Sequence, residues 1–330
     1  MLPPTRAYCT YFDSAYLTRG TALIESLRAV GDEGECWILA LDEATSHNLR
    51  HLSVAGIQVV RLEDLEHAYP ALLTVRDQRA GMDYIFTLTP WLVSFVMSSR
   101  PEVEWVTYLD ADMYFFSGTE EVYRELERGS VGIVSHRFPT SQQWRVKFGN
   151  YNVAWVSFRN DPDGLRTLEW WGLRCLEWCS DVPDDGKFGD QGYLDGFAAV
   201  SDRTVVLSHP GVDVAPWNLP THTVSTNGAG DVYVDDRPLV LFHFHGLKKH
   251  RGRYYFKHLP YRARTTSAIR DHIYTPYCAA LERAESATPS TQARMFLPRR
   301  LGFLPSLSMG RGAVLRVLGR IRGDSIKAPR

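Results

Sequence analysis

Two acids stand at the end of an apolar run in VTYLDADMYFF, residues 106–116. In an extended chain, residues two apart point to the same side, so Asp110 and Asp112 converge on one spot. Two like charges held that close repel unless a cation lies between them, which points to a divalent metal. The competing account is two solvated acids in the turn after a strand. A second apolar run, PLVLFHFHGLKKHRGR, ends in His243, with Gly246 and Lys249 following at three-residue intervals. An imidazole can complete the coordination of Mn²⁺, a glycine permits close backbone approach, and an ammonium can neutralise a phosphate. His245 shares a strand face with His243, so either imidazole satisfies the geometry. The alternative for this stretch is a capped strand end followed by a solvated basic turn.

The elements that must position these groups read as strands alternating with helices. RAYCTYF is β-rich, and LTRGTALIESLRAV carries Leu23, Ile24 and Leu27 on one helical face. ECWILAL and IQVVRL read as strands separated by the helix EATSHNLRHLSVAG, closed by Gly56. A helix near DYIFTLTPWLVSFVMSS precedes the strand WVTYLDADMYFF, a helix near TEEVYRELERG, and the strands VGIVSHRF and NVAWVSFR. The helix DGLRTLEWWGLRCLEWC, the loop DDGKFGDQGYLDG and the short strands TVVLSH, DVYV and PLVLFHFH follow. This alternation predicts an α/β fold with a parallel-rich sheet. Such open sheets bind ligands at the carboxyl ends of their strands, where Asp110 and Asp112 fall. ERAESATPSTQAR reads as a polar linker that ends the ordered body.

With 330 residues, 44% hydrophobic, the chain is long enough for one large core or two smaller ones. No basic region followed by an apolar one opens it, and its longest apolar stretch, YIFTLTPWLVSFVM, is shorter than the roughly 20 residues of a spanning helix. A cytoplasmic protein is expected, with no nucleic-acid partner. The five cysteines, Cys9, Cys36, Cys175, Cys179 and Cys278, read as reduced, packed thiols. The net charge of −1 conceals an asymmetry. Lys and Arg against Asp and Glu number 28 and 37 over residues 1–293, but 9 and 1 over residues 294–330.

Four separated segments together resemble a GT-A glycosyltransferase, close to glycosyltransferase family 8, which includes glycogenin and bacterial lipopolysaccharide galactosyltransferases. YCTYFDSAYLTRGTALIESL resembles the opening strand and helix, and YLDADMYFF the DxD strand. GNYNVAWVSFRND with FGDQGYLDGF resembles the donor-sugar segment, and HFHGLKK the closing HxxGxxKPW. The resemblance implies a GT-A fold with a mixed central sheet, a catalytic domain over residues 1–285, and a linker and basic tail over 286–330. It assigns Asp110, Asp112 and His243 to Mn²⁺ (or Mg²⁺) against a diphosphate, and Lys249 to a phosphate oxygen beside Gly246. Thr10, Asp13 and Tyr16 would face the nucleoside, and Asn152, Asp190 and Gln191 the donor sugar. The activity implied is metal-dependent, retaining transfer of a hexose from a nucleotide-diphosphate donor, UDP-linked, to a glycan or lipid-linked acceptor. Departures fall on the sugar and acceptor side: Gly192 and Asp195 replace the family's acid and Asn after DQ, and His250-Arg251 replaces Pro-Trp. The family's basic residue before the DxD strand is Thr87 here, leaving Arg76 or Arg79 as substitutes.

Other features carry two readings each. Trp170, Trp171 and Trp178 on one helix read as core. Trp217 in VAPWNLP can stack on an acceptor sugar or pack. HRFPTSQQWRVKFGN reads as a lid over the nucleotide or a long surface connection, with His136 as an acceptor-side polar group. Two rival functions use the same acids: a phosphohydrolase of the haloacid-dehalogenase kind, and a non-catalytic sugar-nucleotide binder. In the tail, RGAVLRVLGRIR places Val314, Leu315, Val317, Leu318 and Ile321 along one helical side, with Arg316 and Arg320 on another. This predicts a basic amphipathic helix on an anionic membrane surface, or a segment that packs on the body or mediates self-association.

Overall fold

The computed structural model describes residues 5–51, 56–79, 81–287, 319 and 322–329. The first eight strands are β1 (Arg6–Phe12), β2 (Glu35–Ala40), β3 (Ile57–Arg61), β4 (Trp105–Leu109), β5 (Met113–Phe115), β6 (Val131–Ser135), β7 (Tyr151–Arg159) and β8 (Thr204–Leu207). All but β5 join one sheet ordered β3-β2-β1-β4-β7-β6-β8. β1, β2, β3 and β4 run parallel to one another, β7 runs antiparallel to both β4 and β6, and β8 is parallel to β6. The central sheet is therefore mixed and parallel-rich. Every residue of β4, WVTYL, is buried, because strands flank it on both sides and helices cover both faces.

The helices are α1 (Leu17–Ala29), α2 (Glu43–His51), α3 (Leu62–Ala68), α4 (Ala71–Arg76), α5 (Met82–Ser99), α6 (Glu120–Leu126) and α7 (Pro162–Glu177). On one face of the sheet Leu88, Leu92 and Val96 of α5 pack with Leu168 and Trp171 of α7. On the other, Leu23, Ile24 and Leu27 of α1 pack with Val122 and Leu126 of α6. Local signals set the boundaries: α7 opens where the Asp161 side chain accepts from the Gly164 N–H and Pro162 takes a first-turn position that needs no donor. A third cluster joins Phe242 and Phe244 to Tyr274, Tyr277 and the helix Thr275–Ala287, which runs through ERAESA, the first half of the segment expected as a linker. All five cysteines are free and buried.

One strand expected as continuous, WVTYLDADMYFF, is broken in two. β4 stops at Leu109 and β5 begins at Met113, because β5 leaves the main sheet to pair with Leu241–His243 in a two-stranded ribbon. Asp110 and Asp112 thus converge through a turn rather than through the alternation of a single strand. The ribbon also explains how a residue 131 positions downstream of Asp112 reaches it: His243 is in register with Met113, and the Phe244 N–H donates to the Asp112 carbonyl at 2.9 Å.

Beyond the ribbon, Lys248–His250 and Arg253–Tyr255 form a hairpin, to which Ser325–Lys327 adds a third antiparallel strand. Asp324, beside it, is 2% exposed. It accepts from Arg322 Nε at 3.0 Å and from the Thr265 hydroxyl. The far end of the tail is therefore packed on the body, while the helix expected over residues 311–322 lies, apart from Gly319 and Arg322, outside the described residues. Among the described residues no helix is long and apolar enough to cross a membrane.

Candidate active site

The sheet order places β1 and β4 side by side while their connections lead to opposite edges, so a crevice opens at their carboxyl ends. Asp13 follows β1 and Asp110 follows β4 into this crevice. β7, being antiparallel, brings its amino end there, with Asn152 and Val153. The result is a cleft of about 640 Å³.

Asp110, Asp112 and His243 each offer a ligand atom, all within 4.8 Å of one another. His243 Nε2 lies 3.1 Å from Asp112 Oδ1 and 3.8 Å from Asp110 Oδ2. Burial pushes the Asp110 carboxyl up to about 6, with Asp112 adding to the effect and His243 opposing it. Burial acts the same way on Asp112, but the attraction and hydrogen bond of His243 outweigh it and hold that carboxyl at about 2. His243 is raised well above the usual imidazole range: burial opposes its charge, yet Asp112, Asp213 and Asp110 together prevail. A cluster that draws a proton onto its histidine and onto one carboxyl lacks positive charge, and two carboxylates plus an imidazole form an oxygen and nitrogen set that Mn²⁺ or Mg²⁺ accepts. The residues fit a divalent cation.

Behind His243 stands Asp213, fully buried and with a left-handed backbone (φ 54°). Its Oδ1 is 3.5 Å from His243 Nδ1, and its Oδ2 accepts from Asn152 Nδ2 at 3.0 Å. A carboxylate on the far nitrogen fixes which imidazole nitrogen faces a metal. Asn218 Nδ2 donates to the Asp213 carbonyl at 2.9 Å, and Asn218 Oδ1 accepts from the Ala215 N–H at 2.8 Å, so the VDVAPWN turn is internally closed. Trp217 within it is 4% exposed and meets His243 edge-on at 5.0 Å and His245 at 5.4 Å. It lines the cleft as packing around the histidines.

On the opposite wall Asp190 is 4% exposed, and its Oδ2 has no partner. Burial pushes its carboxyl up to about 7; Thr89 donates to it and opposes the shift, while Asp110 adds to it. Its backbone carbonyl accepts from Trp171 Nε1 at 2.9 Å, so this tryptophan, in the core as expected, also anchors the site. Gln191 lines the cleft, but its amide is engaged at both ends: Nε2 donates to the Phe148 carbonyl at 2.6 Å and Oε1 accepts from the Val153 N–H at 3.3 Å. It ties the short helix Thr140–Phe148 to β7. Phe138, Arg145 and Phe148 of that connection line the cleft, as does His136, which is stacked on Phe138 at 4.6 Å and held at about 4 by burial.

Asp13 and Tyr16 line the cleft. Thr10, Gly246 and Lys249 do not. Thr10 sits within β1 among Cys9, Leu23 and Leu109, turned away from the opening. Lys249 Nζ is 2.6 Å from both Glu282 Oε1 and Glu285 Oε2 on the helix Thr275–Ala287. Gly246 has φ 72°, and a Cβ there would lie 2.4 Å from Lys257 Cδ. Lys257 does line the cleft, with Nζ 2.7 Å from His245 Nε2. Arg76 pairs with Glu66, and Arg79 donates to Thr87 and to the end of α7, so neither reaches the cleft. Asp213 and Lys257 escaped the sequence reading. Asp213 stands four residues before the Trp217 that drew attention to its loop, whereas Lys257 belongs to no recognisable spacing.

No family model matches the chain. It is 34% identical over 251 residues to YfnF of Bacillus subtilis (strain 168), an uncharacterised protein, covering 74% of this chain and 82% of YfnF. It is 26% identical over 299 residues to YfnD of the same organism, also uncharacterised, covering 88% and 94%. Among solved structures it is similar to the galactosyltransferase LgtC in complex with donor and acceptor sugar analogs, with a TM-score of 0.50, 15% identity, and 87% of this chain and 98% of that one covered. An active-site mutant of LgtC gives a TM-score of 0.51 at 13% identity, covering 86% and 97%. The mixed sheet and the Asp-Asp-His cluster at its carboxyl edge stand in the fold of the GT-A glycosyltransferases, and by its likeness to YfnF the chain belongs to the YfnF family.

Proposed function

We propose that the chain is a metal-dependent, retaining glycosyltransferase that moves a hexose from a nucleotide-diphosphate donor, UDP-linked, to a glycan or lipid-linked acceptor. The observation that carries this reading is the Asp110-Asp112-His243 cluster at the mouth of the cleft of a GT-A fold. These three residues would hold Mn²⁺ or Mg²⁺, which supplies neutralisation of a leaving diphosphate. Asp13 and Tyr16, at the end of β1 and the entry to α1, would face the nucleoside. Asn152 and Asp190 line the wall where the sugar would lie, with Gln191 holding that wall together. Above about pH 7 Asp190 presents a carboxylate with an unpaired oxygen to the cleft, suited to a positive charge growing at the anomeric carbon. The catalytic domain is residues 1–285, and the basic tail of 286–330 is proposed to hold the enzyme at an anionic membrane surface on the cytoplasmic side, near its acceptor.

Release of nucleoside diphosphate from UDP-hexoses, with and without candidate acceptors, tests the reading. Activity is expected to vanish in EDTA, return with Mn²⁺, and be lost in Asp110→Asn and Asp112→Asn with folding intact. Full activity in EDTA would sink it. Cosedimentation with anionic liposomes that fades as salt rises tests the membrane part.

A further inference from the structure

We infer that Lys257, rather than the Lys249 of the HxxGxxK stretch, is the cation that grips the donor's diphosphate; this rests on the reading of the cleft as a nucleotide-diphosphate-sugar site. Lys249 is already spent. Its one ammonium lies between two carboxylates, Glu282 and Glu285, and within 5.7 Å of the Tyr254 ring. A lysine so compensated has little left to offer an incoming phosphate.

Lys257 is in the opposite condition. It lines the cleft, its hydrogen-bond partner is the imidazole of His245, and it has no carboxylate within ion-pair distance among the described residues. The Lys257 ammonium stands 2.7 Å from His245 Nε2, and this contact fixes the direction of the lysine. Arg145 and Lys248 add positive potential at Lys257, and Asp112 reduces it. Among the described residues Arg145 makes no carboxylate contact either: it donates to Gln142 and to the Pro260 carbonyl, and its guanidinium sits 4.4 Å from the Tyr261 centroid. Lys257 lies 5.9 Å from the same ring. A half-buried ammonium with only neutral partners and further cations nearby is an unbalanced positive site, stabilised when an anion enters.

The position of that site identifies the anion. The segment that delivers His243 to Asp112 continues through His245, which orients Lys257, and Gly246, whose missing Cβ leaves room for the lysine stem. The cation-binding cluster and Lys257 therefore line one cleft. A diphosphate, with oxygens to offer both, is the anion such a pairing suits.

Calorimetric titration in Mn²⁺ tests the assignment, using UDP, GDP, CDP, ADP and dTDP, and then the monophosphate of the tightest binder. Lys257→Met and Lys257→Gln are expected to weaken the diphosphate at least tenfold and the monophosphate less. Lys257→Arg should restore most of the loss, and Lys249→Met should stay within twofold of the unaltered chain. Thermal unfolding without ligand establishes that each variant is folded, and the two neutral variants guard against one that is not. Unchanged diphosphate affinity in folded Lys257→Met or Lys257→Gln overturns the assignment, as does a tenfold loss in Lys249→Met. Binding of none of the five diphosphates to the unaltered chain overturns the donor-site reading, and this assignment with it.

Discussion

The Asp213 carboxylate does not line the cleft, yet it stands 3.5 Å behind His243 and is itself held by Asn152. Removing an outer partner of a metal-binding histidine costs on the order of 10- to 100-fold in metal affinity. Asp213→Asn is expected to weaken Mn²⁺ binding by that factor, measured by electron paramagnetic resonance of free Mn²⁺, while Asn152→Ala weakens it less. Equal affinity in Asp213→Asn would reduce Asp213 to packing. Asp190 permits a test of a different kind. Its folded carboxyl is raised to about 7, above the ordinary value of about 3.9, so between those values the folded chain holds a proton that the unfolded chain has released. Stability from this group is therefore full below about pH 4 and falls as the pH rises through about 7. Asp190→Asn should flatten this slope and raise stability at pH 8 by on the order of 2 to 4 kcal/mol. The readout is melting temperature against pH for the two proteins, and parallel curves would refute the shift.

The two-stranded ribbon and the hairpin after it decide which side chains meet. β5 is tied to α1 by the Phe115 N–H, which donates to Ser26 Oγ at 3.0 Å, and Leu241–His243 follows β5 in register. The chain then turns at Gly246, whose positive φ only a glycine adopts cheaply and whose Cβ position is filled by Lys257. Gly246→Ala is expected to cost about 1 to 2 kcal/mol for the left-handed backbone alone. It should also push Lys257 aside and weaken diphosphate binding. Urea unfolding reads the first effect and calorimetry the second; a variant matching the unaltered chain in both would show the turn to be adaptable.

Across the whole molecule the acidic body and the basic tail meet at the strand Ser325–Lys327. Asp324, at its start, is the sole acid of residues 294–330 and is buried among Arg322, Thr265 and His258. Its removal takes the acceptor from Arg322 Nε and from the Thr265 hydroxyl, at a cost of about 1 to 3 kcal/mol for a buried group. Asp324→Ala is therefore expected to lower the melting temperature by several degrees while Mn²⁺ affinity stays the same, because the cleft is built from other elements. Loss of Mn²⁺ binding in that variant would mean that the tail's attachment supports the site.

The alternation of strands and helices was legible because apolar periodicity and turn residues are local: LTRGTALIESLRAV carries α1 in its own spacing, and WVTYL is apolar throughout because it lies at the centre of the sheet. The neighbourhood of Asp110, Asp112 and His243 was legible too, since two carboxylates two residues apart need an explanation wherever they lie. The sequence could not show that the acids meet through a turn, because the partner that draws β5 out of the sheet lies more than a hundred residues away. Nor could it show that Lys249 is captured by Glu282 and Glu285 while Lys257 enters the cleft. A motif records spacing along the chain, whereas the charge a lysine has to offer depends on which carboxylates the fold packs beside it. Asp213 and Asp190 make the same point. One orients a histidine and the other has its proton affinity raised only because packing removes both from water, and burial is a property of the assembled molecule rather than of any stretch of its sequence.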